Sequence, residues 1–240
     1  MNVSFRVLSI VAAVFAISVG STCQASTVTL SATQDTTIYS NLVNNSGGGH
    51  AFGIAGFANN GNERRYLVQF DLTGIAPGST VNSAQLDLVV EQIGISGGNF
   101  ELHQVNAAWG EGTQTGNQGG AASAGDATWN ASQFGSVNWA TPGGTFFTPV
   151  LNTTNITSTG TSSFNTSANF VSAIQTIVDN PSQNFGFIIS TTDSASAIRI
   201  GTREGGNAPS LVVDFTAVPE PTTLPILLLG LVGLSRRRTR

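Results

Sequence analysis

Apolar residues recur at every second position in several short segments of this chain, and this alternation restricts its fold more than any other feature. In residues 64–72 the apolar side chains Tyr66, Val68 and Phe70 share one face, and residues 84–91 repeat the pattern. Further segments of this kind are 35–39, 100–105, 184–190, 197–200 and 210–215. Because side chains alternate between the two faces of a strand, each segment predicts a strand buried on one face. Turns rich in Gly, Asn and Ser separate the segments without regularly interposed helices, so we predict an all-β fold, an antiparallel β-sandwich or jelly roll.

One short helix is predicted within this series, over residues 167–180. Its apolar residues at helical spacing are Phe170, Ile174, Ile177 and Val178. Ser167 is placed to cap its N-terminus, and Pro181 ends it. Residues 110–125 are polar and have no periodicity, so we expect them to form a mobile surface loop.

The N-terminus has the three parts of a secretory signal peptide over residues 1–25. Arg6 supplies the positive charge, residues 7–19 are apolar, and small residues near position 25 predict cleavage before Ser26. Lipidation at Cys23 is the alternative. After ordinary cleavage the mature chain contains no cysteine, so it has neither disulfides nor thiol chemistry.

The C-terminus combines a short motif, an apolar run over residues 224–234 and an arginine-rich tail. The motif is Val218, Pro219, Glu220 and Pro221, and the tail includes Arg236, Arg237 and Arg238. The apolar run is short for a helix that spans a bilayer unaided, which takes about 20 residues, and the arginines favour the cytoplasmic side. This end resembles the PEP-CTERM sorting signal of Gram-negative bacteria. The resemblance implies a C-terminal hydrophobic helix that anchors the protein briefly in the inner membrane, an exosortase-type sorting enzyme as partner, and release to the cell surface or extracellular matrix. The expected domains are 1–25, 26–217 and 218–240.

Charge excludes one class of partner. Only 9% of the chain is charged and it has no lysine. Residues 26–218 contain twelve acidic residues and four arginines, a net charge of −8. Since nucleic-acid binding needs a basic surface, we expect no nucleic-acid partner.

Several segments together resemble the DNRLRE domain, a secreted β-sandwich related to carbohydrate-binding modules. They are residues 35–39, 63–72, 81–90, 102–113, 127–130, 139–144, 167–181 and 201–215, in the order of that family. The resemblance implies a sandwich that contacts glycans. Some members of the family bind acidic polysaccharides through a basic face. This chain departs from them, because an acidic domain repels an anionic ligand at long range.

Six side chains are the candidates for contacting a polysaccharide: Trp109, Trp129, Trp139, Arg64, Arg65 and Arg203. Sugars stack their C–H faces on aromatic rings, and guanidinium groups bind hydroxyl or carboxylate groups. Both residue types have a second interpretation. The tryptophans can pack inside the sandwich, and the arginines can pair with acidic residues of the same chain.

Catalytic and metal sites have weaker support. Glu111, Asp126 and Asp193 lie in Gly- and Ser-rich segments typical of solvated loops, so no carboxylate pair for glycoside hydrolysis is identified. His50 follows a glycine run, and His103 is expected on the solvent side of a strand. No catalytic residue, cofactor or metal site is therefore predicted.

Calcium is the ion that the loop oxygens would suit. Carboxylates such as Asp35, Asp71 and Asp126 are the ligands that it prefers. Their spacing identifies no site.

The expected function is an exported, non-catalytic sandwich that contacts glycans or exopolysaccharide at the cell surface or in the matrix. A matrix or adhesion protein without a defined ligand is the first alternative. A polysaccharide-active enzyme is the second.

Overall fold

A computed structural model describes residues 24–218. Its strands are β1 (Ala25–Tyr39), β2 (Asn45–Ser46), β3 (Phe52–Phe57), β4 (Glu63–Phe70), β5 (Thr80–Ile93), β6 (Gly98–Gln104), β7 (Gly120–Ala121), β8 (Ala131–Gln133), β9 (Val137–Asn138), β10 (Asn152–Ile156), β11 (Gly160–Phe164), β12 (Phe187–Ser190), β13 (Ala197–Gly201) and β14 (Ser210–Thr216). The helix is α1 (Ala168–Asp179), followed by a 3-10 turn at Pro181–Gln183. Most of the predicted signal peptide and, apart from Val218, the whole sorting signal lie outside the described residues.

The strands form a sandwich-like barrel with antiparallel pairing throughout, which confirms the predicted fold class. Strands β10, β6, β12 and β4 are adjacent in one layer, and β3, β13, β5 and β14 follow in the other. Strand β1 joins the layers, since its first half pairs with β14 and its second half with β4. Strand β5 pairs with β14, β13 and β11.

The main core lies between the layers and is built by the alternation seen in the sequence. Tyr66, Val68 and Phe70 of β4 face residues such as Leu86 and Leu88 of β5 there, and all five are fully buried. Burial of a large apolar side chain contributes about 1.5–3 kcal/mol, so this face supplies most of the stability of the sandwich.

A second core covers the outer face of the layer that contains β4 and β12. Leu67 and Ile188 alternate with the inner residues of these strands and pack against Val105, Trp109 and Trp139. The long connection between β6 and β10 supplies those three side chains. The layer is therefore covered on both faces, which the period-two pattern alone does not reveal.

This covering makes the expected position of His103 wrong. His103 lies opposite Ile188 in the pairing of β6 with β12, so it points to the outer face. That face is covered, and the imidazole packs against Phe146 with ring centroids 4.7 Å apart. The residue is buried and lies 3.4 Å from Glu101.

The predicted helix is confirmed with its caps. The Ser167 hydroxyl accepts a hydrogen bond from the Phe170 N–H at 3.0 Å, and the helix ends before Pro181. Its buried face includes Ile174 and Val178. Within the part of the chain that the structure describes, no helix has the length and hydropathy needed to cross a membrane.

Candidate functional site

Two of the three candidate tryptophans lie inside the second core. Trp109 and Trp139 are 6% and 5% exposed. Their indole N–H groups donate to the backbone carbonyls of Phe185 and Thr128, each at 2.8 Å. Both rings therefore pack in the protein interior, and each indole N–H has a hydrogen-bond acceptor. Ligand contact by them stays a prediction.

Trp129 is half-buried and forms a stack with Arg65. The guanidinium of Arg65 lies 5.1 Å from the centre of the Trp129 ring and donates to Glu63 at 2.6 Å and to the Gly143 carbonyl at 2.8 Å. Gly143 has φ +92°, and a Cβ there would lie 2.8 Å from the indole, so the turn needs glycine. The donors of Arg65 are thus largely occupied by its own chain.

Arg64 lies in a different environment, at an open cleft of about 520 Å³. The cleft lies over β3 and β13 and is lined by apolar rings and amide side chains. Its lining includes Phe52, Phe57, Asn59, Asn60, Gln92, Asn117, Gln118 and Arg199. Among the described residues, Arg64 is the arginine without a carboxylate within 4.0 Å. Its guanidinium lies 6.0 Å above the Tyr39 ring, and its Nε is buried without a hydrogen-bond acceptor.

Arg199 forms the opposite wall of this cleft. Its guanidinium lies 3.4 Å from the centre of the Phe52 ring and 3.1 Å from Glu91. The His50 ring also contacts Phe52, with ring centroids 3.8 Å apart and ring planes tilted by 58°. Partial burial and the charge of Arg199 lower the pKa of His50. Phe52, Arg64 and Arg199 thus bring an aromatic ring and two guanidinium groups to one cleft.

A larger open groove of about 740 Å³ runs along α1. It is lined by Ser, Thr, Ala, Val, Gln and Asn side chains and by Asp179, and its lining contains neither an aromatic ring nor a cation. Sugar binding relies on ring stacking together with directional hydrogen bonds, so the cleft at Arg64 is the better candidate despite its smaller volume.

The last candidate, Arg203, lies in an acidic cluster. Its guanidinium contacts Glu111 at 2.9 Å and Glu204 at 3.1 Å. Its backbone N–H donates to Asp35 at 3.1 Å, and the Asp35 N–H donates to Glu111 at 2.7 Å. Arg203 therefore faces acidic groups of its own chain, and it does not share a site with Arg64 or Arg65.

The cluster changes the titration of its carboxylates. Asp35 is fully buried, and loss of hydration raises its pKa to about 7. The negative charges of Glu204 and Glu111 also raise it, while the contact with Arg203 lowers it. Partial burial likewise raises the pKa of Glu111.

Several interpretations of acidic residues change with the structure. Glu111 is half-buried and Asp126 is buried, with Asp126 accepting from the Ser123 N–H at 2.8 Å, so neither lies in a solvated loop. Residues 110–125 lack long regular elements but pack closely, and β7 pairs with β2. Asp193 is exposed, as expected. Asp71 is exposed and accepts from Thr73 within its own turn, so the three aspartates named for calcium do not come together.

Sequence reasoning missed two features of these sites. Strand β3, with Phe52, lies in the Gly-rich segment after β2, and its two glycines interrupt the apolar alternation. The grouping of Asp35 with Glu111 and Glu204 depends on contacts between distant parts of the chain. The one available signal for this grouping was a charged residue within a strand that otherwise has none.

Comparisons with known families agree with this architecture. Residues 26–141 match the profile of carbohydrate-binding module family 96, which is the DNRLRE domain family. Residues 217–239 match the PEP-CTERM protein-sorting motif. No curated protein matches the chain. The sorting motif directs export through a membrane-anchored intermediate to the cell surface, where a carbohydrate-binding module meets its ligands.

Proposed function

We propose that the chain binds a neutral polysaccharide in the cleft at Arg64, since residues 26–141 match carbohydrate-binding module family 96. The binding is non-catalytic and takes place at the cell surface or in the extracellular matrix after exosortase processing. The observation that carries this proposal is a cleft that combines ring faces, amide side chains and an arginine without a carboxylate partner.

The chemistry of the cleft supports a hydroxyl-rich ligand. Asn60 and Gln92 offer both donors and acceptors, as vicinal sugar hydroxyls require. Arg64 adds N–H donors whose hydrogen-bonding capacity is not used within the domain. Phe52 and Phe57 add apolar surface to the lining of the cleft, and Phe52 is held in place by its contacts with Arg199 and His50.

The overall charge favours a neutral ligand over an anionic one. Residues 26–218 carry a net charge of −8, which repels polyanions before they reach the cleft. In the cleft itself Arg199 is already paired with Glu91. The cleft therefore presents one unpaired cation within an acidic domain.

Affinity electrophoresis of the full-length protein in mild detergent tests this proposal. Native gels containing dextran, hydroxyethyl-cellulose, galactomannan or alginate are compared with gels that contain no polysaccharide. We expect retardation by at least one neutral polymer. Arg64→Ala is expected to weaken it about tenfold, since a hydrogen bond from a charged group contributes about 1.5–3 kcal/mol.

Matched variants make the result specific. Gln92→Ala changes an exposed side chain of the same cleft and is expected to weaken retardation without affecting the melting temperature. Arg203→Ala removes an arginine elsewhere and is expected to leave retardation unchanged. Retardation by none of the neutral polymers overturns the proposal and favours a matrix protein without a glycan ligand. Shortening of the polymers during incubation favours the enzyme alternative.

A further inference from the structure

We propose that the carboxylates of Asp35, Glu111 and Glu204, together with the hydroxyl of Tyr66, form a calcium-binding site. The site lies beside the second half of β1, next to the loop that joins β13 to β14. It is separate from the cleft at Arg64 and does not depend on glycan binding.

The spacing of the carboxylates suits this ion. One oxygen atom from each of the three side chains lies within 4.8 Å of the other two. Calcium binds oxygen ligands at about 2.3–2.6 Å, so two oxygens on opposite sides of one ion are about 5 Å apart. The three groups can therefore reach a common ion without rearrangement of the backbone.

Two buried polar atoms without partners point into the same place. Asp35 Oδ1 and the Tyr66 hydroxyl are fully buried and interact with each other electrostatically, but neither makes a hydrogen bond of good geometry. Asp35 pairs with Val68 and Thr37 with Tyr66 in the antiparallel register of β1 and β4, so Asp35 and Tyr66 face the same side. Burying such atoms without a hydrogen bond is unfavourable in a folded protein. A bound cation satisfies both oxygens.

The resident arginine does not remove this need. Arg203 contacts Glu111 and Glu204 from the solvent side and reaches Asp35 only through its backbone N–H. The cluster thus contains one guanidinium group and three carboxylate groups. The mutual repulsion that remains is part of the reason that the pKa values of Asp35 and Glu111 are raised. A divalent ion would balance the two remaining charges.

The location of the protein fits a weak site. Calcium sites of extracellular modules have dissociation constants of about 10⁻⁴–10⁻³ M.

Isothermal titration calorimetry with calcium chloride tests the proposal on the full-length protein after treatment with a chelator. We expect a single site with a dissociation constant in the range above. Glu204→Gln, at the exposed edge of the cluster, is expected to weaken binding about tenfold, since affinity follows the number of charged ligands. Asp71→Asn, which removes an exposed acid elsewhere, is expected to leave binding unchanged.

The Arg203→Ala variant distinguishes a calcium site from a cluster that only forms salt bridges. If the arginine competes with the ion, the variant binds calcium more tightly than the wild type and regains its melting temperature on addition of calcium. Absence of binding up to 10 mM calcium in both proteins, or equal loss of binding in Asp71→Asn, overturns the proposal. Arg64→Ala is expected to bind calcium normally, so failure of this proposal and failure of the glycan proposal give different results.

Discussion

At the scale of single residues, Asp35 has the least favourable surroundings of the acidic groups that the structure describes. It points into the sandwich from β1, is fully buried, and has one carboxylate oxygen without a partner. An ionised carboxylate in such a place costs free energy, and this cost raises its pKa to about 7. The same residue thus lowers the stability of the metal-free protein and offers a ligand to an ion.

This cost predicts an unusual dependence of stability on pH. In the unfolded chain the pKa of Asp35 is near 3.8, the ordinary value for an aspartate, and in the folded chain it is about 7. The folded state therefore holds the proton more tightly, so the contribution of Asp35 is greatest below pH 4 and is lost as the pH rises to 7. In a chelator-containing buffer, Asp35→Asn is expected to remove this loss and to be more stable than the wild type at pH 8. Urea unfolding of both proteins at pH 4 to 8 measures this difference in the free energy of unfolding.

Asp71 provides the control for this measurement. Its pKa is lowered by hydrogen bonds from Thr73, so its contribution has the opposite sign and is lost as the pH falls. Asp71→Asn should therefore retain the decrease in stability between pH 4 and 7. If Asp35→Asn shows the same decrease as the wild type, burial of Asp35 is not its cause.

At the scale of elements, helix α1 depends on the side chain that begins it. Ser167 accepts from the Phe170 N–H and donates to the carbonyl of Leu151, the last residue before β10. The cap thus satisfies an otherwise unpaired helix N–H and ties the helix to a neighbouring segment. The helix in turn covers the main core with Phe170 and Ile174.

Removing this cap is expected to lower the stability of the whole domain. Ser167→Ala should reduce the free energy of unfolding by about 1–2 kcal/mol, since the loss of an N-cap costs about 0.5–2 kcal/mol. Ser172→Ala is the matched control, because Ser172 is exposed in the middle of the helix and alanine favours helix there. Urea unfolding of both variants decides the point, and equal stabilities would contradict a capping role.

At the scale of the whole molecule, the chain contains a compact unit over Gln24–Val218. The sorting motif begins at residue 217, where this unit ends in the sequence. The domain carries the predicted ligand sites, and the motif determines where they are displayed. The arginines are also divided between the domain and the sorting signal. Four of the nine lie in the last five residues of the chain, outside the domain.

Deleting Pro219–Arg240 is expected to change the destination of the protein without changing the domain. The truncated protein should lose its membrane-anchored intermediate and pass directly into the periplasm or the medium, because the apolar run and the arginine tail are gone. Immunoblots of inner-membrane, surface and medium fractions measure this. Arg236→Lys retains the charge of the tail and is expected to fractionate as the wild type. An unchanged distribution after the deletion would contradict a sorting role.

The sequence by itself determined the longest strands, the helix and the C-terminal sorting signal. The alternation around Tyr66, the helical spacing around Ile174 and the capping position of Ser167 are local patterns, and local patterns report directly on secondary structure. The sorting signal is likewise read from a continuous segment. These predictions need no knowledge of what lies across the sheet.

Only the tertiary structure decided which side chains meet. Asp35 and Arg203 are 168 positions apart, and their contact depends on the strand register and on the loop between β13 and β14. His103 shows the same limit, since its alternation with Leu102 correctly places it on the outer face but says nothing about the segment that covers that face. Periodicity reports which side of a strand a residue faces. Its burial, charge and partners come from packing between elements that are distant in the chain.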